Sequence, residues 1–104
     1  MVERDPRLSY HTLRVLRLFL QKPREGLAGS AISKRTAMLS GTIYPILMRL
    51  ERAGWLDSKW EQVEPSEVGR PRRRIYQLTA LGYNKARAAL TELSVPNGRL
   101  AWNS

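Results

Sequence analysis

The residues of this chain best placed to do chemistry fall in two clusters, SGTIYPILMRLERAGWL at 40–56 and GRPRRR at 69–74. The first reads as a helix over 40–53 with a polar entry and an apolar inner face. With Leu47 set inward at about 100° per residue, Ile43, Leu50 and Gly54 fall within roughly 60° of it. Thr42, Pro45, Arg49 and Arg52 point the other way, so one face can pack while the opposite face meets a ligand. Ser40 is the expected N-cap. A helix start presents free N–H groups to a phosphate, and Thr42 and Arg49 can reach base edges. Ser40, Gly41, Thr42, Tyr44, Pro45 and Arg49 are therefore the candidate recognition surface. Tyr44, about 60° from the inward direction, divides between core and phosphate ligand.

The second cluster carries Arg70, Arg72, Arg73 and Arg74, the densest charge in the chain. A charge run is usually a solvated face. Here it sits in a hairpin connection, and Gly69-Arg70-Pro71 copies the core of AT-hook peptides, in which an extended Gly-Arg-Pro lies along a narrow minor groove. The expected role is minor-groove or flanking-phosphate contact by a basic loop over 64–74. Lys34 and Arg35, one helix earlier, suit backbone contacts that position without specifying.

No catalytic constellation accompanies these clusters. His11 is the sole histidine and sits beside the first helix cap, where a surface or capping role is expected. The carboxylates are scattered among basic residues, with no metal cluster, phosphate loop or activated nucleophile. The expectation is a non-enzyme with no cofactor and no metal. Eighteen Lys+Arg against nine Asp+Glu give a formal charge of +9, which argues for a polyanionic partner. With 42% hydrophobic residues and clear periodicity the chain is no disordered polycation. It has no cysteine, which suits a reducing interior. The apolar cluster 13–20 is broken by Arg14 and Arg17 and is too short to span a bilayer. No signal-peptide pattern precedes it, so a cytoplasmic location is expected.

The elements that must position the clusters follow from capping and period. A first helix runs from an N-cap at Ser9 to about Gln21, stopped by Pro23 and Gly26. Its Leu13, Val15, Leu16, Leu18, Phe19 and Leu20 cover most of the circumference. A second, 29–37, has Ala31 and Ile32 inward and Lys34 and Arg35 outward. The third follows a tight turn at 38–40, with Pro45 expected to bend its first turn and Gly54 to end it. Strands are expected at 56–63 and 73–78, with EPSEVGRPR between them as irregular loop. Thr79 caps a last helix whose Ala86, Ala89, Leu90 and Leu93 share a face. Trp55 and Trp60 suit core and wing-base packing. Trp102, in a tail over 96–104, must cover something or stay exposed.

This order of elements is a winged helix-turn-helix, mainly α (α+β): three helices, a two-stranded wing and a C-terminal dimerisation helix. It divides into a DNA-binding unit at 1–78, a packing helix at 79–95 and the tail. From Ser9 to about Leu93 the sequence resembles the PadR-like family of bacterial transcriptional regulators. The carriers are SGTIYPILMRLERAGWL, Trp60, GRPRRRIYQLT and Gly82. The resemblance implies a dimeric winged-helix repressor that pairs through its first and last helices. Some members bind small aromatic or cationic compounds, so an effector is an open partner. The chain looks like the short subclass, with a last helix of only about 20 Å from Ala80 to Leu93.

A homodimer is also expected on packing grounds, because the six apolar residues of the first helix exceed what one small core should accept. The expected seam is Leu13, Leu16, Phe19, Leu20, Ala86, Leu90 and Leu93. Double-stranded DNA is the expected partner, with no membrane. A general nucleic-acid protein, architectural or RNA-binding, is the alternative, weakened by the lack of an exposed aromatic platform. A winged helix that binds protein is the third reading, and the net charge counts against it.

Overall fold

Ser9 starts the first helix by a direct exchange of hydrogen bonds. Its Oγ accepts from the Thr12 N–H at 3.2 Å and lies 3.0 Å from Thr12 Oγ1, so α1 (Tyr10–Gln21) begins where an N-cap serine predicts. The computed structural model describes residues 5–93, and the tail with Trp102 lies outside them. A two-residue strand β1 (Leu27–Ala28) leads into α2 (Gly29–Thr36). Ala37 then adopts a left-handed conformation, φ 61°, that turns the chain toward α3 (Ser40–Arg52). The end of α2 is tied down twice. Thr36 Oγ1 donates to the Ile32 carbonyl at 2.7 Å, and Arg14 of α1 donates to the Thr36 carbonyl at 2.8 Å.

Leu39, not Ser40, is the N-cap of α3. The αL turn at Ala37 places the Leu39 carbonyl under the Thr42 and Ile43 N–H groups, at 2.9 and 3.1 Å. Ser40 is thereby already helical, and no side chain caps the first turn. Pro45 does not interrupt the helix. At the other end Gly54, φ 81°, closes a Schellman motif, with Trp55 N–H on the Leu50 carbonyl and Gly54 N–H on the Glu51 carbonyl.

The sheet has three strands in the order β1-β3-β2, with β2 (Leu56–Trp60) and β3 (Arg74–Leu78) forming the wing hairpin. Leu56 pairs with Leu78 and Trp60 with Arg74, while Leu27 and Ala28 pair with Tyr76 and Ile75 on the other edge. The two-stranded expectation thus gains a strand too short to show any period. The connection expected as irregular contains one helical turn, α4 (Pro65–Val68), with Pro65 opening it and Gly69 at φ 71° ending it. Proline's fixed φ suits that first position. Thr79 caps α5 (Ala80–Leu93), accepting from Gly82 N–H at 2.9 Å and donating to the Gly54 carbonyl at 2.6 Å.

The core draws on every major element: Val15, Leu16 and Phe19 of α1, Ile32 of α2, Ile43, Leu47 and Leu50 of α3, then Trp55, Leu56, Tyr76 and Ala86. This corrects three members of the dimer seam expected above. Leu16, Phe19 and Ala86 are fully buried within one chain, at 1% exposure or less. The reason is that α5 covers one side of α1 and α2 another, so a wide apolar sector is satisfied without a partner. Leu13, Leu20 and Leu90 keep part of their surface.

Candidate nucleic-acid interface

The outer face of α3 is presented as its period requires. Ser40, Gly41, Pro45, Arg49 and Arg52 are exposed, and Thr42 is half-buried. A Cβ at Gly41 would meet nothing within 4 Å, so the surface beside the first turn is open. Tyr44 is 41% exposed. Arg49 and Arg52 make no side-chain hydrogen bond or ion pair among the described residues. On α2, Lys34 and Arg35 both face solvent, and Arg35 donates to Gln21 Oε1 at 2.9 Å.

The four wing arginines have four different surroundings. Arg70 is bound fork to fork by Glu61, with contacts of 2.7 and 3.1 Å, and also donates to its neighbour Pro71's carbonyl at 3.1 Å. Gly69 is left-handed, and the segment is not the extended Gly-Arg-Pro of a minor-groove hook. Its arginine is engaged inside the wing by Glu61 rather than presented free, as the expected minor-groove contact of Arg70 would need. Arg72 donates to the Val63 carbonyl at 2.8 Å and lies 4.0 Å from Glu64. Arg74 donates to Ser58 Oγ at 2.9 Å, with its guanidinium 5.2 Å from the Trp60 ring centre. Arg73 is exposed and its side chain has no partner among the described residues.

Sequence reasoning missed Glu61, which holds the wing's two legs together. Its Oε1 accepts from Arg70 and, at 2.8 Å, from the Arg73 N–H, while its own N–H donates to the Arg73 carbonyl at 2.9 Å. The hairpin register alone would have placed it one step beyond the Trp60–Arg74 pair. The Arg70 guanidinium first, then the Arg73 N–H, hold the Glu61 carboxyl well below its ordinary 4.5, at about 2. A depressed carboxyl pKa adds stability above the unfolded value that is lost as pH falls through the folded one. The wing should therefore keep its order down to the ordinary carboxylate value of 4.5 and lose it as pH falls to about 2. Arg70 side-chain NMR signals followed in acid should show that transition, and in Glu61→Gln they should already be averaged at neutral pH.

Trp60 departs from the expected wing-base packing. It is 56% exposed rather than packed into the wing base, because its strand pairs on one side only and Arg74 covers one ring face. Leu39, at 79%, and Met48, at 49%, are further exposed apolar residues on the turn into α3 and on the helix itself.

A family model described as the transcriptional regulator PadR-like family matches residues 15–88, well over half of the chain. The chain belongs to that family. Among solved structures, a PadR family transcriptional regulator from Eggerthella lenta is 28% identical, with a TM-score of 0.61 over 77% of this chain and 74% of that one. AbfR in a disulfide form has a TM-score of 0.69 at 24% identity, covering 86% of this PadR-like chain. The chain spans only 61% of that AbfR structure. A MepR–DNA complex from S. aureus shares the fold, with a TM-score of 0.65 at 18% identity over 79% of this chain and 61% of that one. Among curated protein sequences none matches. No helix among the described residues is long and apolar enough to cross a membrane.

Proposed function

We propose that this PadR-like chain binds double-stranded DNA sequence-specifically as a homodimer and acts as a repressor. In this reading α3 enters the major groove and the wing rests on flanking phosphates. The observation that carries it is an uncapped, open first turn of α3, continued by exposed Arg49 and set beside an arginine wing, on a chain of formal charge +9. MepR, which shares the fold, was solved with DNA, and this supports the same use of the fold here. A footprint on the DNA upstream of its own gene tests it, since a protected palindrome is expected and uniform protection is not.

Within this reading Arg73 contacts a phosphate, being the wing arginine with no internal partner. Arg73→Ala should weaken binding to all duplexes by similar factors and lower the salt slope by about one unit. Titrations at several salt concentrations decide this, and a loss confined to one sequence would make Arg73 a base reader.

The dimer rests on what α1 and α5 leave open. Tyr10, Leu13, Arg17 and Leu20 form one stripe at helical spacing, with Tyr10 67% exposed. Leu90 keeps surface on α5. A two-fold pairing there would set the recognition helices about one DNA turn, ~34 Å, apart. Light scattering at micromolar concentration should give twice 11.9 kDa, and Leu13→Glu should halve it. A wild-type mass of one chain removes the dimer.

Exposed Trp60 favours one second reading, single-strand binding by base stacking. Single-stranded competitor separates the two: it should displace duplex poorly if the groove-reading account holds.

A further inference from the structure

A cleft of about 510 Å³ lies between the start of α2, the first half of α3 and the wing. Arg70, Arg72, Arg73 and Arg74 all line it, and no carboxylate does. The Arg70 charge is met by Glu61 and the Arg74 guanidinium lies over Trp60. Arg73 has no side-chain partner among the described residues, while Arg72 donates from Nε to the Val63 carbonyl at 2.8 Å and its only nearby carboxylate is the exposed Glu64 at 4.0 Å.

The opposite wall carries two hydroxyls, from Ser30 and Tyr44. Their approach depends on Gly29. A Cβ at Gly29 would overlap the Tyr44 phenol, lying 2.6 Å from Cζ and 2.8 Å from Cε1. Glycine therefore lets the phenol of α3 close against the start of α2. Ser30 is exposed and its hydroxyl makes no hydrogen bond among the described residues.

We propose that this cleft seats one phosphodiester of the DNA backbone, between the Tyr44 and Ser30 hydroxyls on one wall and the Arg73 and Arg72 guanidiniums on the other. This rests on the DNA-binding reading and adds the place where the backbone passes from the recognition helix to the wing. An anion is favoured because arginines and hydroxyl-bearing residues line the cleft and no carboxylate does. A backbone phosphate is favoured over a free anion because Tyr44 of α3 and the wing arginines line the same cleft. It is also open to water, where a small free ion would be weakly held. The larger cleft along the wing, about 1180 Å³, carries Glu61 and Glu64 beside Arg72, and a phosphate there would meet carboxylates.

The test pairs Tyr44→Phe, which removes one hydroxyl and leaves the ring against Gly29, with a scan of neutral methylphosphonate linkages through the footprinted duplex. Tyr44→Phe should weaken specific and scrambled duplexes alike, by about tenfold. One linkage in each half-site should weaken the wild type when neutralised and cost Tyr44→Phe much less, with all other linkages unchanged. Ser30→Ala should respond at the same linkage. A linkage profile identical in wild type and Tyr44→Phe overturns the proposal, as does a change in base preference. Saturable binding of inorganic phosphate that Tyr44→Phe abolishes would assign the cleft to a free anion and overturn it too. If the wild type binds no duplex at all, the DNA-binding reading fails. If it binds and only the linkage difference is missing, this inference alone fails.

Discussion

Replacing Arg49 with alanine is expected to weaken binding to the operator by about 1–3 kcal/mol and to relax discrimination at one base pair. Arg49 lies on the face of α3 opposite the buried Leu47, is exposed, and is tied to no other side chain among the described residues. A free planar guanidinium on the proposed recognition helix matches the O6 and N7 acceptors of guanine in a bidentate pair, the commonest specific base contact. The loss, about five- to 150-fold, should fall on the operator and hardly at all on scrambled duplex. Titration of both duplexes with both proteins separates the outcomes. Equal losses on the two would make Arg49 a phosphate contact, and no loss on either would place the recognition face elsewhere.

Gly82→Ala should be the most damaging conservative change to the fold. Gly82 is buried where α5 starts, and a Cβ there would lie 2.7 and 2.8 Å from the carbonyl carbon and Cα of Trp55. Trp55 cannot give way, because its N–H and carbonyl are both engaged, by the Leu50 carbonyl and the Thr79 N–H, and its indole is in the core. Overpacking against backbone should cost about 3 kcal/mol or more, a large part of the roughly 5–15 kcal/mol that holds a domain together. The thermal midpoint should fall by roughly 12–24 °C. Gly41→Ala, at the open start of α3, is the control and should leave the midpoint unchanged or raised. A Gly82→Ala midpoint close to wild type would mean that α5 does not press on Trp55 as described.

Much of the fold was legible because its signals are local. Ser9, Gly54 and Thr79 act on the N–H and carbonyl groups of residues a few positions away, so the start of α1, the end of α3 and the start of α5 could be read without knowing the rest. The inward row Ile43, Leu47 and Leu50 follows from helical period alone. What escaped depends on distant groups. Strand β1 has two residues and exists only because β3 offers it an edge. The cap of α3 moved to Leu39 because the left-handed Ala37 reset the turn before Ser40. The α1 apolar residues looked excessive because period reports how wide a face is, not how many elements surround it. In the candidate site, charge located the wing but not the division of labour within it. Arg70 and Arg73 are indistinguishable as letters, and only the Glu61 carboxylate, brought across the hairpin by register, separates an internal tether from a free cation.

The central claim, sequence-specific recognition of duplex DNA through α3, is tested most directly by one ratio. The affinity for a duplex selected from random sequence is compared with that for a scrambled duplex of equal length and composition, at physiological salt. The account predicts that the selected duplex binds at least about 10³-fold tighter. It further predicts that Arg49→Ala narrows this ratio while Arg73→Ala leaves it nearly unchanged. Equal affinities for the two duplexes, falling together as salt rises, would contradict it and leave a basic protein that holds nucleic acid without reading it.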